Sequence, residues 1–393
     1  VKSNFKKILL IIIAAILFCA AVFFFPTKHK SISIKNESLD AVEVKKENLS
    51  NQENKKIFVS AWIPYWAKDD GAKSLAGNFK KFNQLHPFAF GVDTNGILTD
   101  VLKISQSPWP NFIAEAKENN VEVVPTILWG DAKGMHDIFS NPEKRKKHID
   151  AIVKMLVDNS FAGVDIDYEG KDIADKDNFS SFITDLSQSI SASGKTLNCT
   201  IEARTQDQPL EGQIGVRGMS WANDYTILNK ECDSVTVMAY DQIFQINRAN
   251  SFSDKKTEAV APNATNSWTQ DVVKYALKYI APEKLILGVS TYGWEFKIKK
   301  NTDGFDYTRV KSVSYREAME KAKKANVLAK RIDGEMSFVY KIMDGEHLVS
   351  FDDAVSLKDK IEIAKRYNLK GIDIFKLDGL ADPEIYNILS EHL

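Results

Sequence analysis

The chain has 393 residues, longer than an ordinary single domain but within reach of a strand–helix barrel, which runs to ~250 residues or more as one unit. Its 52 basic and 53 acidic residues balance to a formal charge of −1, which argues against nucleic acid or an acidic polymer as a partner. Three cysteines and six histidines give neither a disulfide framework nor metal-ligand spacing, so no metal and no cofactor are expected.

In chain order, Lys2, Lys6 and Lys7 precede an apolar run from Ile8 to Phe25 that Pro26 closes. Its length reaches the ~17–25 residues of a membrane-spanning helix. A cleaved secretory signal is the alternative, with Cys19-Ala20-Ala21 as its small-residue site, but Phe23-Phe24-Phe25 carries the apolar run past it. An uncleaved single-pass anchor is therefore expected over residues 1–26. The basic flank places the chain beyond Pro26 outside the cytoplasm. Residues 27–56 are polar, without an aromatic ring, and read as a disordered tether.

From Ile57 to the C-terminus, eight β-branched runs alternate with amphipathic segments. The first four are "IFVSAWIPYW", "PFAFGV", "VEVVPTILW" and "FAGVDIDYE"; "LNCTIEA", "SVTVMAYD", "KLILGVSTYG" and "GIDIFKLDG" follow. Near-continuous apolar character suits parallel strands buried on both faces. Asn141-Pro142 starts one helix, with Ile149, Ile152, Val153 and Leu156 on a single face. Phe179, Phe182, Ile183, Leu186 and Ile190 mark another. Eight such alternations with right-handed crossovers predict an α/β (β/α)8 TIM barrel over residues 57–393. No glycine-rich loop follows the first strand, which sets an open dinucleotide-binding sheet aside. The interval 296–355 predicts a small α+β insertion between strands seven and eight. Ser314 and Glu317 form a capping box ahead of a helix through Lys330, and Asp344-Gly345 turns a hairpin. Cys199 and Cys232 are expected as two buried thiols, with a single disulfide as the alternative.

The chemistry concentrates in "FAGVDIDYEG". In a strand, alternate side chains share a face, so Val164, Ile166 and Tyr168 point one way and Asp165, Asp167 and Glu169 the other. Three carboxylates on one face raise the pKa of at least one of them, the condition for a general acid near neutral pH. Active sites in barrels lie at the C-terminal ends of the strands. Glu169 ends the fourth run, and Tyr240 and Asp241 end the sixth. Trp66 follows the first, Trp129 ends the third, Trp294 follows the seventh, and Phe375 lies in the eighth. Glu202 and Arg204, at the end of the fifth, read as a rim salt bridge, with lining the cleft as the alternative.

These motifs resemble glycoside hydrolase family 18. Its fourth-strand signature D-x-x-D-x-D-x-E matches from Asp165 to Glu169, with Ala162 in place of the first Asp. "MAYD" (Met238 to Asp241) and "PEKLILGVSTYGW" (Pro282 to Trp294) look like its sixth- and seventh-strand motifs. "APNATNSWTQDVVKYALKYIAPEKLILG" and "SFDDAVSLKDKIEIAKRYNLKGIDIF" are similar to the spore-germination and cell-wall branch. The resemblance implies a retaining hydrolase of β-1,4-linked N-acetylhexosamine glycans, in which the substrate's own N-acetyl oxygen is the nucleophile. By the same resemblance, Glu169 is the acid and Asp167 accepts from the acetamido N–H. Asp165 shares a proton with Asp167, and Tyr240 donates to the acetamido oxygen. Met238, Asp241 and Phe375 contact sugar, with Phe375 standing where the family usually has Trp. Trp66, Trp129 and Trp294, by their place at the strand ends, are each candidate sugar contacts, with core or lid packing as the alternative. The expected partners are an N-acetylated polysaccharide, peptidoglycan ahead of chitin, and the cell's own membrane through the anchor. The protein is expected as a monomer, with a non-catalytic glycan-binding barrel as the rival reading.

Overall fold

The computed structural model describes residues 56–208, 219–245, 258–302 and 304–392. The sequence-predicted anchor and tether lie outside them, apart from Lys56. Among the described residues no helix is long and apolar enough to cross a membrane.

Eight parallel strands close into a barrel: Phe58–Ile63, Gln84–Val92, Thr126–Trp129, Gly163–Tyr168, Thr196–Glu202, Ser234–Met238, Leu285–Ser290 and Gly371–Phe375. The first strand pairs with the eighth (Phe58 with Gly371) and with the second (Ser60 with Gln84), so no barrel edge is left open. Helices fill the crossovers. Pro142–Asp158 is capped by the Asn141 side chain, which accepts from the Glu143 and Lys144 amides and satisfies donors the first turn leaves free. Lys176–Ala192 buries Phe179, Phe182, Ile183, Leu186 and Ile190. Together with Val164, Ile166 and Tyr168 these rings and branched chains form the core between barrel and helices.

Between strands seven and eight stands a five-stranded antiparallel sheet. Its order is Gly304–Ser314, Tyr292–Asn301, Gly345–Phe351, Glu335–Ile342 and Lys330–Ile332. Helix Tyr315–Ala325 packs on it through Ala318 and Ala322, against Phe338, Val349 and Phe351. The capping residue Ser314 accepts from the Glu317 amide. The helix stops at Asn326, whose left-handed φ of 52° ends the ladder short of the expected Lys330. The hairpin Tyr292–Ser314 has no counterpart in the sequence reading. Much of its outer half is exposed polar chain without an apolar run to mark it.

Cys199 and Cys232 correct the expectation of two thiols: they are disulfide-bonded across 33 residues. Cys199 lies on the fifth strand, and the helix Tyr225–Glu231 returns the chain beside it at Cys232. Closing a loop of that length restrains the unfolded chain by roughly 3–4 kcal/mol. Reductant, or Cys232→Ala, should therefore lower the denaturation midpoint of the folded protein. A midpoint indifferent to both would show that the bond contributes nothing.

Candidate active site

The alternation in "GVDIDY" is a strand with its acids facing into the barrel. Asp165 lies deepest. Its Oδ2 accepts from Trp62 Nε1 at 3.0 Å and Thr126 Oγ1 at 2.7 Å, and its Oδ1 from Thr200 Oγ1 at 2.7 Å. First, third and fifth strands thus each give one neutral donor to a carboxylate buried away from solvent. Below it His86 Nε2 stands 3.6 Å from Asp373 Oδ2, both buried. Ala162 lies just before the strand, where its carbonyl accepts from the Thr196 amide.

Asp167, next toward the mouth, is buried, and its Oδ1 has no hydrogen-bond partner. Burial, then the charges of Glu169 and Asp165, push its pKa well above the usual carboxylate range. Glu169 ends the row with its amide held by the Trp129 carbonyl at 2.8 Å. Its pKa is pushed up to about 7, first by burial and then by Glu202; Lys171 and a hydrogen bond with Asp167 oppose the rise. That value keeps a proton on the carboxyl near neutral pH and lets it leave readily.

The turn after Glu169 is fixed by a network the sequence reading does not anticipate. Gly170 has φ 73°, a conformation glycine adopts without penalty, and its amide donates to Glu202 Oε1 at 3.1 Å. Glu202 Oε2 accepts from Asn223 Nδ2 at 2.8 Å and lies 3.5 Å from Lys171 Nζ. The buried Lys171 ammonium also donates to the Tyr168 carbonyl and sits over the Phe179 ring. Glu202 is therefore paired with Lys171. The expected rim bridge to Arg204 does not form, because the Arg204 guanidinium lies over the Tyr225 ring, 4.1 Å from its centroid.

Above the acids opens a cavity of about 560 Å³. Asp167, Glu169 and Glu202 line one part of it, and Met238, Tyr240 and Asp241 another. Phe375 forms an aromatic floor, stacked on Tyr240 at 5.6 Å and met edge-on by Trp62 at 6.0 Å and Tyr292 at 5.7 Å. Burial and the charges of Asp167 and Glu169 hold the Tyr240 hydroxyl well above an ordinary phenol, so it remains a donor at all working pH. Asp241 adopts φ 59°, rare without glycine, and is held there by its partners. Its Oδ1 accepts from Tyr292 Oη and Trp294 Nε1, both at 2.7 Å, and its amide donates to Asn263 Oδ1 at 3.1 Å. Burial still raises its pKa, against those two side-chain bonds.

Of the sequence-predicted sugar contacts, Met238, Asp241, Phe375, Trp66 and Trp294 line the cavity. Trp66 is 53% exposed at the rim. Trp129 is not among them. At 2% exposure it faces the helices, packed on Phe139, His148 and Tyr168. It pairs in register with Tyr168 and shares its outward face, a parity visible in its two-residue spacing from Ile127. Trp62, Phe88 and Tyr292 line the cavity without having been singled out as sugar contacts, and Glu202 takes the cleft-lining alternative. Tyr292 sits inside the quoted "STYGW", and Trp62 lies two positions from inward Ser60. Among the described residues no group of acids, histidines or cysteines could hold a metal ion.

Comparison with known proteins gives a consistent result. The sequence profile described as Glycosyl hydrolases family 18 matches residues 45–379. A Bacillus subtilis (strain 168) protein named uncharacterized glycosylase YvbX is 24% identical over 241 residues, covering 61% of this chain and 64% of that protein. The cortical fragment-lytic enzyme of the same organism is 24% identical over 317 residues, covering 78% of this chain and 67% of the enzyme. The crystal structure of the Bacillus megaterium QM B1551 spore cortex-lytic enzyme SleL superposes with a TM-score of 0.69 at 20% identity, over 86% of this chain and 75% of that one. The chain thus spans about two thirds of the length of these two sequence relatives.

Proposed function

The chain belongs to glycosyl hydrolases family 18, and from that premise we propose that it cleaves β-1,4-linked N-acetylglucosamine glycans with retention, using the substrate's acetamido group as nucleophile. The observation that carries this reading is the juxtaposition of Glu169, Asp167 and Tyr240 around one cavity with an aromatic floor. Glu169, poised near neutrality, protonates the glycosidic oxygen as its bond to the anomeric carbon breaks. The acetamido oxygen closes on that carbon to give an oxazolinium ion. Asp167, whose Oδ1 is without a protein partner, accepts from the acetamido N–H and faces the positive charge. Tyr240 donates to the acetamido oxygen and fixes its approach. Asp165, locked by three donors, holds Asp167 in line and shares the proton balance of the row. Glu169, now a carboxylate, takes a proton from the water that opens the oxazolinium ion and regenerates the sugar.

Within that class we place peptidoglycan ahead of chitin, and the enzyme outside the cytoplasm. The Cys199–Cys232 disulfide supports an oxidising compartment. The apolar run Ile8–Phe25 supports a membrane anchor, and a coiled tether over residues 27–56 would reach ~30 Å from it, a range suited to the cell's own wall. The test offers the protein a fluorogenic N-acetylglucosamine oligomer, purified sacculi and chitin side by side, with mass spectrometry of the released sugars. Release of sugars ending in N-acetylglucosamine from sacculi is expected. Chitobiose alone, with stripped sacculi untouched, would reverse the substrate preference. Binding of all three without cleavage of any would leave a glycan-binding barrel.

A further inference from the structure

Beside the catalytic cavity lies a smaller pocket of about 270 Å³, with Arg204, Trp221, Tyr225, Tyr275 and Tyr279 in its lining. Among the described residues its Arg204 makes no salt bridge; its partners are rings, with a hydrogen bond to the Tyr225 side chain. The guanidinium lies 4.1 Å from the Tyr225 ring centroid and 5.3 Å from that of Tyr275, and its Nε is buried without a hydrogen-bond partner. Asp207, close enough to feel that charge, is already occupied: it accepts from Tyr275 Oη at 2.8 Å and Tyr279 Oη at 2.6 Å. The other charged pair, Lys176 and Asp224, is closed on itself at 3.0 Å. Trp221, 8% exposed, adds an indole N–H that also lacks a partner.

This pocket shares a wall with the cavity. Glu202 lines the cavity, and Arg204 follows it by two residues. Tyr225 Oη donates to the Glu202 carbonyl at 3.4 Å, and Asn223, between Trp221 and Tyr225, donates to its carboxylate. A branch that leaves the cavity on the Glu202 side would approach this pocket across that wall. A planar guanidinium backed by rings matches a carboxylate, which accepts two parallel N–H bonds; a neutral hydroxyl offers it a single weaker one.

We propose that this pocket takes a carboxylate borne on a side branch of the glycan, and that Arg204 is the residue selecting acidic, ether- or peptide-substituted chains over neutral ones. This rests on the glycosidase reading above and sharpens its substrate class. A charge-assisted pair of this kind is worth about tenfold or more in kcat/KM.

The experiment uses the full chain and three substrates: soluble strands from sacculi as the free acids, the same strands with carboxyls converted to amides, and a neutral N-acetylglucosamine oligomer. The wild type should prefer free acid to amide by at least about tenfold, a preference that fades with salt. Arg204→Gln should bring that ratio close to one, and Arg204→Lys should leave it in between. Equal rates on acid and amide, with the neutral oligomer still cleaved, would overturn the pocket and leave the glycosidase reading standing. A preference that survives Arg204→Gln would overturn the assignment to Arg204. Cleavage of none of the three would overturn both. The first comparison uses unaltered protein, so it decides the carboxylate preference even if Arg204→Gln fails to fold, and Arg204→Lys then tests the assignment to Arg204.

Discussion

Glu169→Gln is expected to lower turnover at least ~100-fold, the lower end for removing a general acid, with the unfolding transition nearly unchanged. Gln keeps the shape of the side chain and takes away only the proton. The same assignment fixes a pH profile. Burial and Glu202 hold the Glu169 carboxyl at about 7, so kcat/KM should fall as pH rises through that value and the acid loses its proton. Glu202→Gln removes the second-largest cause of the rise and should move this alkaline limb to lower pH. Lys171→Met removes the main opposing charge and should move it higher. Near-wild-type turnover of Glu169→Gln on a substrate that needs leaving-group protonation would remove Glu169 from the role. An alkaline limb indifferent to both neighbours would place the titration elsewhere.

The second large effect lies on the substrate. If the acetamido oxygen is the nucleophile, its reaction is intramolecular, and taking it away forfeits an effective molarity on the order of 10⁵ M or more. A de-N-acetylated sugar at the reacting position should therefore be inert in practice. A thiazoline mimic of the bicyclic intermediate should inhibit, and the first-formed product should keep its anomeric configuration by proton NMR. An inverted product seen before mutarotation would exclude the mechanism. Comparable hydrolysis of the deacetylated sugar would do so too. Asp167→Asn distinguishes binding from orientation, because Asn still meets the acetamido group but supplies no charge to the oxazolinium ion; kcat should suffer more than KM.

The acidic row is legible in the sequence because its signal is geometric. A period of two puts Asp165, Asp167 and Glu169 on one face whatever surrounds them, and the apolar partners Val164, Ile166 and Tyr168 mark the opposite face. The barrel is legible for a related reason, since strands buried on both sides carry apolar runs that stand out from amphipathic helices. The environment of Glu169 is not. Lys171 is a charged residue after a glycine until the fold closes it over Phe179 and against Glu202, and that pairing needs strands four and five side by side. Cys199 and Cys232 meet through the same kind of non-local return. For Trp129 the sequence leaves sugar contact and core packing open, because an aromatic ring at a strand end suits either; it lies in the core, on the outward face its parity with Ile127 gives it. The hairpin Tyr292–Ser314 goes unread because its pairing is carried by backbone bonds between residues such as Lys299 and Asp306, whose side chains signal solvent.

That hairpin starts inside the cavity that Glu169 lines. Tyr292 and Trp294, at the root of the strand Tyr292–Asn301, are the two donors that hold Asp241, while Phe296 and Ile298 further along the same strand belong to the added sheet. Across the root, Asp352 receives Ser290 Oγ and Asn263 Nδ2, and Asn263 in turn holds the Asp241 amide. The appendage is consequently no interchangeable cassette. A protein engineer who trims it to widen the groove, or grafts in a sheet from another barrel, also replaces the clamp on Asp241. Beyond Trp294 the strand has left the cavity, but Phe296 and Ile298 still pack on Ile243 and Ala261, and Phe296 meets the cavity-lining Phe244, so an exchange that begins there must carry those contacts with it.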